Sequence, residues 1–333
     1  MERGPSVTLS VIMPVFNAVQ TLRQAVDSVL SQQVELELLL VDDGSTDGST
    51  VIAEEIAAQD ARVAVLHQSN QGICAARNAG LEQAKGEYVT FCDDDDEVLP
   101  GAYAHLLALA RSSGAQIVRG GYRLLRQHPD GSVSELFHKM ESGCTLQQGY
   151  GAFLRAGGPQ FVWNVLYRRD SLHGVRFDER CRNGLEDFLL NATLYATVDS
   201  AVFDPRPVYC HTERLDSASR SWSKAAMRAR AQAVPLWLAA EYRAVCCREQ
   251  GASRQRLWNE RRAQTVTFLM HMLRDGHASR PVRREAWSIL RRAMGRYPRG
   301  LRGATGKQAL ALLLFELHLQ NLYELMPNRE EQR

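Results

Sequence analysis

The sequence predicts an α/β fold: a doubly wound, mostly parallel sheet with an added hairpin and a helical C-terminal region. Short apolar runs alternate with helix-spaced segments between residues 7 and 92, and polar residues follow the carboxyl ends of those runs. Residues 224–333 have helical patterns almost throughout. Strands that alternate with helices need crossover connections, which favour parallel pairing of the strands.

Four predicted strands open the chain. The first is a β-branched apolar run at 7–13, and a helix at 20–30 follows it, with Leu22, Val26 and Val29 at helical spacing. The alternation continues with strands at 36–41, 63–66 and 88–92 and with helices at 49–58 and 75–84. This order predicts a sheet with helices on both faces.

The segments after Pro100 complete the predicted fold. A helix is expected at 103–112, then strands at 116–118, 122–125 and, after the turn signal His128-Pro129-Asp130-Gly131, 133–137. A further helix is expected at 188–195, a strand at 207–210, and C-terminal helices at 235–247, 257–273, 283–294 and 307–325. The strands on either side of the turn predict a hairpin added to the sheet.

Composition indicates a soluble globular protein. The 333 residues are 45% hydrophobic, which is enough for a sizeable core. We find no signal segment and no run of the roughly 18 apolar residues that a membrane span requires. The seven cysteines have no Cys-x-x-Cys spacing, so reduced core thiols and a cytoplasmic location are expected.

The charge is divided unevenly along the chain. Residues 221–333 contain 21 Lys and Arg against 9 Asp and Glu, whereas residues 1–220 contain 19 against 29. A basic region of this kind can approach anionic lipid headgroups or nucleic acid. The alternative is that its arginines form the solvent faces of ordinary helices.

Polar segments follow the predicted strands at their carboxyl ends. Residues 14–17 follow the first strand, 42–45 the second, 70–72 the third, and the run Asp93-Asp94-Asp95-Asp96 the fourth. Open α/β sheets bind ligands at this edge, so these segments are expected to line one crevice.

The four consecutive aspartates predict a cation site. Carboxylates close together repel one another unless a metal or a shared proton offsets the charge. Several carboxylates suit Mg²⁺ or Mn²⁺ that also holds substrate phosphates. The alternative is a solvated acidic turn.

Two common nucleotide motifs are absent from the sequence. The first strand is followed by Pro14-Val15-Phe16-Asn17 rather than Gly-x-Gly-x-x-Gly, and there is no P-loop motif. A dinucleotide dehydrogenase and a P-loop NTPase are therefore not expected. A nucleotide could instead bind the aromatic face of Phe16 and the carboxylates of Asp42 or Asp43.

Four motifs in order resemble glycosyltransferase family 2, the inverting nucleotide-sugar transferases with a GT-A type fold, in its bacterial cell-surface polysaccharide form. They are residues 10–17, residues 41–47, Asn70-Gln71-Gly72 with residues 76–80, and residues 86–91 before the aspartates. The resemblance is clear over residues 7 to about 115 and looser to about 220. It implies a transferase domain at 1–220, with a donor half at about 7–115 and an acceptor half at about 116–220, followed by a basic helical region at 221–333.

The resemblance also implies roles in donor binding. Pro14, Phe16 and Asn17 would lie at the nucleoside, Asp43 would contact the base, usually uracil, and Asp42 the nucleoside-binding loop. Arg77 would assist the nucleotide, Asp95 and Asp93 would bind the metal, and Asp93 and Asp94 would lie at the ribose or phosphates. Asp42 could instead cap a turn, and Arg77 could form a surface ion pair.

Two positions depart from the family pattern. Val19 stands where many members have an acidic residue, and the variable middle position of Asp-x-Asp is itself an aspartate, Asp94. The alternative is therefore that Asp94 or Asp96 takes the place of Asp95 as the metal ligand.

The acceptor half would supply the catalytic base. A sugar hydroxyl is a weak nucleophile, so a carboxylate that takes its proton promotes attack. The resemblance assigns this role to Asp187, with Glu186 orienting the acceptor, whereas the alternative is a carboxylate that stabilises a helix N-terminus. Trp163 and Asn164 would line the acceptor site, although a Trp in an apolar run is as often a core residue. His211, Arg214 and Ser217 would close over the donor phosphates.

The function implied is an inverting, non-processive glycosyltransferase that uses Mn²⁺ or Mg²⁺. It would move one hexosyl or N-acetylhexosaminyl group from a UDP-sugar to a glycan or lipid-linked acceptor in cell-surface polysaccharide synthesis. The basic helices could contact the inner face of the cytoplasmic membrane, although packing on a domain or partner is the default for such helices, and nucleic acid is not an expected partner. The alternatives are a nucleotidyltransferase of related fold and a non-catalytic nucleotide-sugar-binding protein.

Overall fold

The computed structural model describes residues 7–136, 143–156, 161–182, 184–214, 223–301, 304 and 306–319. Phe137, Ser217 and the predicted helical residues after 319 lie outside these ranges. The chain divides into two compact units, one of Met1–Arg182 with Glu186–Ser217 and the other of Asn183–Leu185 with Ala218–Arg333.

The elements predicted for the N-terminal unit are present in the predicted order, and β5, β8, β9 and α5 are additional. The strands are β1 (Leu9–Val15), β2 (Leu36–Asp42), β3 (Val63–His67), β4 (Tyr88–Phe91), β5 (Glu97–Val98), β6 (Ile117–Gln127), β7 (Val133–Leu136), β8 (Cys144–Thr145), β9 (Val165–Arg168) and β10 (Ala201–Glu213). The helices are α1 (Leu22–Leu30), α2 (Ser49–Gln59), α3 (Ile73–Gln83), α4 (Ala102–Ser113), α5 (Tyr150–Ala156) and α6 (Glu186–Thr197).

These strands form one mixed sheet in the described part of the unit. The order is β3-β2-β1-β4-β9-β6-β10-β5, with β7 on β6 and β8 on β10. The strands β3, β2, β1 and β4 pair in parallel, as do β6 and β10, whereas β9 is antiparallel to both β4 and β6. The predicted fold class is therefore confirmed, including the hairpin of β6 and β7.

The strand β1 lies at the centre of the parallel half. All seven of its residues are buried, as expected for a strand covered on both faces. Gly80 of α3 allows close packing here, because a Cβ at this position would lie 2.4 Å from Ile12 Cγ2. The carboxyl end of β1 is thus held rigidly beside those of β2 and β4.

The C-terminal unit contains the four described helices α7 (Lys224–Arg248), α8 (Gly251–Asp275), α9 (Arg280–Met294) and α10 (Gly306–Glu316). The predicted start of α7 at residue 235 is wrong, because Pro235 lies inside the helix and Ser223 caps it by accepting a hydrogen bond from the Ala226 amide. Some of the basic side chains are internal: Arg261 and Glu241 form a buried ion pair with N–O distances down to 2.7 Å. No helix in the described residues is long and apolar enough to cross a membrane.

Candidate active site

The candidate site lies at the carboxyl ends of β1, β2 and β4. These strands are neighbours and run in the same direction, so their carboxyl ends share one edge of the sheet. Phe16 follows β1, Asp42 ends β2 and Asp93 comes two residues after β4. The parallel strands thus bring the polar segments to one edge of the sheet, as predicted from the sequence.

Asp42 and Asp43 stabilise the loop after β2 and the loop after β3, which lie beside this edge. Asp42 accepts hydrogen bonds from the Ser45 amide at 3.0 Å and the Thr50 hydroxyl at 2.7 Å. Burial acts to raise the pKa of Asp42, but these hydrogen bonds outweigh it and keep the pKa below its ordinary value.

Asp43 accepts from the amides of Gln71 and Gly72, each at 2.8 Å. Asp43 also accepts from the Gln68 side chain at 2.7 Å and is 4% exposed, so one of its roughly four acceptor sites is left for a further donor.

Residues 14–17 differ from one another in exposure. Phe16 is 48% exposed, so its ring is available to a ligand. Asn17 has a positive φ of 54° and its side-chain oxygen accepts from the Thr46 amide at 2.8 Å, which joins the β1 and β2 loops. Pro14 is buried inside β1, so it offers no exposed surface to a nucleoside and the expected contact there is corrected.

Each of the four aspartates has a different partner. Asp93 accepts from Arg77 at 2.9 Å, and Asp94 accepts from the Phe16 amide at 2.9 Å. Asp95 pairs with Arg214, with 3.0 Å between Oδ2 and NH1. Asp96 accepts from the Thr212 amide at 2.9 Å and lies 2.8 Å from Nδ1 of His211. Specific partners and partial burial disagree with a solvated acidic turn.

Asp96 is less available to a metal than Asp93 or Asp95. It is 1% exposed and both of its oxygens are held by β10. Burial acts to lower the pKa of His211, but Asp96 outweighs it and raises that pKa to about 9, so His211 is an imidazolium at neutral pH. The family resemblance implied that His211 and Arg214 lie at the donor phosphates, but it did not indicate their contacts with the aspartate run.

The chemistry of Asp93 and Asp95 fits a hard divalent cation. Their side chains are 22% and 31% exposed, and both offer carboxylate oxygens, the ligands that Mg²⁺ and Mn²⁺ prefer. Burial first, and then the charges of Asp96 and Asp93, raise the pKa of Asp95 to about 6. No group of three His, Cys, Asp or Glu side chains among the described residues could hold a metal. Two carboxylates would leave coordination positions for phosphate oxygens and water.

Arg77 connects the aspartate run with the predicted base. It is 1% exposed, which excludes the surface ion pair considered for it. One terminal nitrogen donates to Asp93, and the other donates to Asp187 at 2.8 Å and lies 3.5 Å from Glu186. Residues far apart in the sequence thus share one buried guanidinium. Its planar fork suits several carboxylates at once.

Asp187 lies in the first turn of α6 and is largely buried. Besides Arg77, it accepts from the Val162 amide at 3.2 Å. Burial raises the pKa of Asp187 to about 7, Arg77 opposes that rise, and the charge of Glu186 adds to it. A carboxylate whose pKa lies near neutrality is suited to take a proton at physiological pH.

The two predicted acceptor residues are core residues. Trp163 is 4% exposed and stacks on both Phe161 and Tyr209, with ring centroids 4.6 and 4.5 Å apart. Asn164 is fully buried and its side chain donates to the Gly120 carbonyl at 2.7 Å. The expected acceptor contacts are therefore corrected, because neither side chain presents a surface to a sugar.

Replacing Arg77 tests the effect of its hydrogen bonds to Asp93 and Asp187 on stability and activity. Arg77→Lys keeps one positive charge but cannot donate in two directions with the same geometry, so we expect about a tenfold loss of turnover. Arg77→Met leaves buried carboxylates unpaired and should lower the free energy of unfolding by about 3–5 kcal/mol. Urea unfolding and turnover measurements check both, with exposed Arg111→Lys as the matched control. Equal turnover for Arg77→Lys and wild type would contradict the assignment.

A family model and individual relatives of this chain both indicate glycosyltransferases. Residues 10–172 match the family model "Glycosyl transferase family 2". The chain is 30% identical over 229 residues to "Uncharacterized glycosyltransferase EpsJ" of Bacillus subtilis, a match that covers 66% of this chain and 65% of that protein. It is 50% identical over 172 residues to an "Uncharacterized glycosyltransferase" of Haemophilus influenzae, covering 51% and 65%. The matches thus span slightly less than two thirds of these relatives.

Solved structures share the fold at low sequence identity. TarS 1-349 of S. aureus in complex with UDP-GlcNAc has a TM-score of 0.75 at 18% identity, over 95% of this chain and 89% of that one. The mannosyltransferase PcManGT of Pyrobaculum calidifontis in complex with GDP-Man and Mn²⁺ has a TM-score of 0.55 at 17% identity, over 96% and 83%. At this identity the likeness concerns the fold.

Proposed function

We propose that the protein, whose residues 10–172 match the model of glycosyltransferase family 2, moves one sugar from a nucleoside diphosphate sugar to a hydroxyl group. The acceptor is a glycan or a lipid-linked oligosaccharide of a cell-surface polysaccharide, and the anomeric configuration inverts. The observation that carries the proposal is the Arg77 bridge between Asp93 and Asp187. It joins a phosphate-side carboxylate to a carboxylate suited to proton transfer.

Asp187 acts as the general base in this proposal. As the acceptor oxygen bonds to the anomeric carbon, Asp187 takes the hydroxyl proton. The bond between the anomeric carbon and the diphosphate oxygen breaks, and its electron pair leaves with the nucleoside diphosphate. Arg77 and the Val162 amide fix the orientation of the Asp187 carboxylate.

Asp95 and Asp93 hold the divalent cation when it is bound. The cation supplies Lewis acidity that stabilises the charge on the departing diphosphate. Arg214 pairs with Asp95 and His211 with the adjacent Asp96, so both contribute positive charge beside the aspartate run. The complex of PcManGT with Mn²⁺ and GDP-Man supports a metal of this kind, without identifying the one used here.

The donor is a UDP-sugar with a hexosyl or N-acetylhexosaminyl group in this proposal, and transfer is non-processive. The exposed ring of Phe16 and the remaining acceptor capacity of Asp43 support nucleoside binding between the first two loops. The motif Gln-x-x-Arg-Trp of processive relatives does not occur in the sequence. The complex of TarS with UDP-GlcNAc is consistent with this donor class.

Ligand-induced thermal stabilisation tests donor binding. UDP, GDP, dTDP and CDP are each added with Mn²⁺, with Mg²⁺ or with EDTA, and the unfolding midpoint is measured. Ligand at about 100 times its Kd should stabilise the folded state by about 2.7 kcal/mol. We expect a rise with UDP that EDTA removes. Stabilisation by no nucleotide, or stabilisation unaffected by EDTA, would contradict the proposed site.

Product analysis separates the two alternative functions. A glycosyltransferase releases a nucleoside diphosphate from a nucleotide sugar, whereas a nucleotidyltransferase releases pyrophosphate from a nucleoside triphosphate and a sugar phosphate. A non-catalytic binding protein would be stabilised by the nucleotide sugar and release neither product across an acceptor panel.

The pKa of Asp187 predicts the pH dependence of transfer. The carboxyl group must be ionised to take a proton, and burial raises its pKa to about 7. We therefore expect kcat/KM to rise as pH increases through about 7, with a fall of about tenfold per pH unit well below that value. A profile measured from about pH 5.5 to about pH 8.5, where stability is checked separately, tests this. A flat profile would exclude Asp187 as the titrating base.

A further inference from the structure

We propose that Asn78 is a positioning residue for Asp187, the base of the proposed reaction. It acts through residues 177–181, which precede α6 and which side chains of α3 bind; we call them the anchored segment. The inference rests on the proposed function, because it concerns the carboxylate that takes the proton. All of these residues belong to the N-terminal unit.

Asn78 binds the backbone of Phe177 in both directions. Its side-chain oxygen accepts from the Phe177 amide at 2.9 Å, and its side-chain nitrogen donates to the Phe177 carbonyl at 3.0 Å. Two hydrogen bonds of opposite direction fix both the position and the orientation of a backbone segment, and a side-chain amide offers the donor and the acceptor that this needs. An aspartate in place of Asn78 would keep the acceptor and lose the donor.

A second contact from α3 holds the other end of the anchored segment. The Cys74 thiol donates to the Cys181 carbonyl at 3.3 Å, and both cysteines are buried. Cys74 and Asn78 are four residues apart in α3, so they lie on one face of the helix. The helix α6, with Asp187 in its first turn, begins five residues after Cys181. The chain is therefore fixed to α3 shortly before it reaches Asp187.

The ring of Phe177 supports the Arg77 guanidinium. The Arg77 Cζ atom lies 5.3 Å from the Phe177 centroid and 6.0 Å from that of Phe91. The two rings meet edge to face, with their centroids 5.2 Å apart. Among the described residues, the buried Nε of Arg77 has no hydrogen-bond partner. The orientation of the guanidinium thus depends on its terminal nitrogens and on the aromatic rings that attract the cation.

These contacts connect Asn78 to the proposed base. Asn78 fixes the backbone of Phe177, the Phe177 ring supports Arg77, and Arg77 donates to Asp187 at 2.8 Å. A misplacement of about 1 Å in a reacting group can lower a rate on the order of 100-fold. Asp93, on the donor side, follows β4 and does not belong to the anchored segment. Loss of the Asn78 contact should therefore affect proton transfer more than donor binding.

Asn78→Asp in the full chain tests the proposal. The new carboxylate would face the Phe177 carbonyl and the Glu179 carboxylate, whose Oε1 lies 3.4 Å from the Asn78 nitrogen, so the anchored segment should move away from α3. We expect kcat for sugar transfer to fall by about tenfold, while the Kd of UDP with Mn²⁺ stays within about twofold of wild type. In an Asp187→Asn background the same substitution should lower kcat no further, because no base is left to position.

Phe177→Leu tests the aromatic step separately. Leucine keeps an apolar side chain and the two backbone hydrogen bonds to Asn78, but it has no ring to attract the Arg77 guanidinium. We expect kcat to fall by about threefold to tenfold, again with little change in the Kd of UDP. Because both substitutions act through Phe177, the loss in the double variant should be close to the larger single loss and smaller than their product.

Gln32 offers a matched control for Asn78. Its side chain also binds the backbone of another segment in both directions: it accepts from the Tyr103 amide at 3.3 Å and donates to the Leu99 carbonyl at 3.1 Å. Gln32→Glu should lower the unfolding midpoint by about 2–6 °C, as Asn78→Asp does, but leave kcat unchanged. Phe153→Leu is the control for Phe177→Leu, since Phe153 is also buried and meets another ring edge to face.

Hydrogen exchange of the Val162 amide reports the position of Asp187 without turnover, because this amide donates to the Asp187 carboxylate at 3.2 Å. We expect faster exchange in Asn78→Asp and wild-type exchange in Gln32→Glu. Wild-type kcat for Asn78→Asp, an equal loss of kcat for Gln32→Glu, or a further loss in the Asp187→Asn background would each overturn the proposal. Failure of the proposed function is distinguishable, because wild type would then release no nucleoside diphosphate while the effect on Val162 exchange persisted.

Discussion

Asp187→Asn is expected to lower kcat for sugar transfer by about 10²–10⁴-fold while nucleotide binding with metal stays close to wild type. Asparagine has nearly the same shape and can still accept from the Val162 amide, but it cannot take a proton. The Asp93 and Glu186 contacts of Arg77 remain, so the guanidinium keeps two of its three carboxylates. Nucleoside diphosphate release in the presence of acceptor measures the loss.

Three comparisons make the Asp187 result specific. Asp199→Asn removes an exposed carboxylate just after the same helix and should leave kcat unchanged. Glu186→Gln should cost less than Asp187→Asn, because Glu186 lies farther from the shared guanidinium nitrogen, at 3.5 Å against 2.8 Å. Loss of the rise in the pH profile near neutrality is expected for Asp187→Asn. Transfer at the wild-type rate would exclude Asp187 as the base.

Asp95→Asn is expected to raise the Kd of the nucleotide in the presence of metal by at least about tenfold, or about 1.4 kcal/mol. The substitution removes an ionised oxygen from the pair proposed to hold the cation and leaves Arg214 without its carboxylate. Calorimetric titration with UDP at several Mn²⁺ concentrations measures the change. The metal concentration needed for half-maximal binding should rise in parallel.

Asp96→Asn is the matched control for Asp95→Asn, because it removes the charge of the neighbouring carboxylate in the same way. Asp96 is held by His211 and Thr212, so its loss should lower the free energy of unfolding by about 1–3 kcal/mol. Its metal dependence should resemble that of wild type. If Asp96→Asn changes the metal requirement and Asp95→Asn does not, the assignment of the two carboxylates is reversed.

The parallel half of the sheet could be predicted because its signals are local. Apolar periodicity gave β1 to β4 and their helices to within about two residues. In β6 the prediction failed: two short strands were expected around Gly120-Gly121, but one strand runs from Ile117 to Gln127. A Cβ on Gly120 would lie 2.4 Å from Val208, so this glycine permits close packing against β10 and does not end a strand.

The edge of the sheet at which the polar segments meet could be predicted, but the contacts of their side chains could not. Aspartates after parallel strands must lie at one edge, whatever the loops do. The burial of Trp163 and Asn164 could not be predicted, because an apolar run with an aromatic residue is equally typical of a core and of a sugar site. Arg77 was placed near the nucleotide, yet its burial depends on a helix more than 100 residues away in the chain.

The sequence alone determined the fold class, the edge of the sheet at which the polar segments meet, and the family resemblance. These follow from periodicity, strand order and short motifs, all of which are properties of neighbouring residues. Only the tertiary structure decided that Arg77 joins Asp93 to Asp187 and that Asp96 is bound by His211 and Thr212 of β10. The physical reason is that side-chain partners, burial and the resulting pKa shifts depend on distances between segments remote in the chain, which no local pattern encodes.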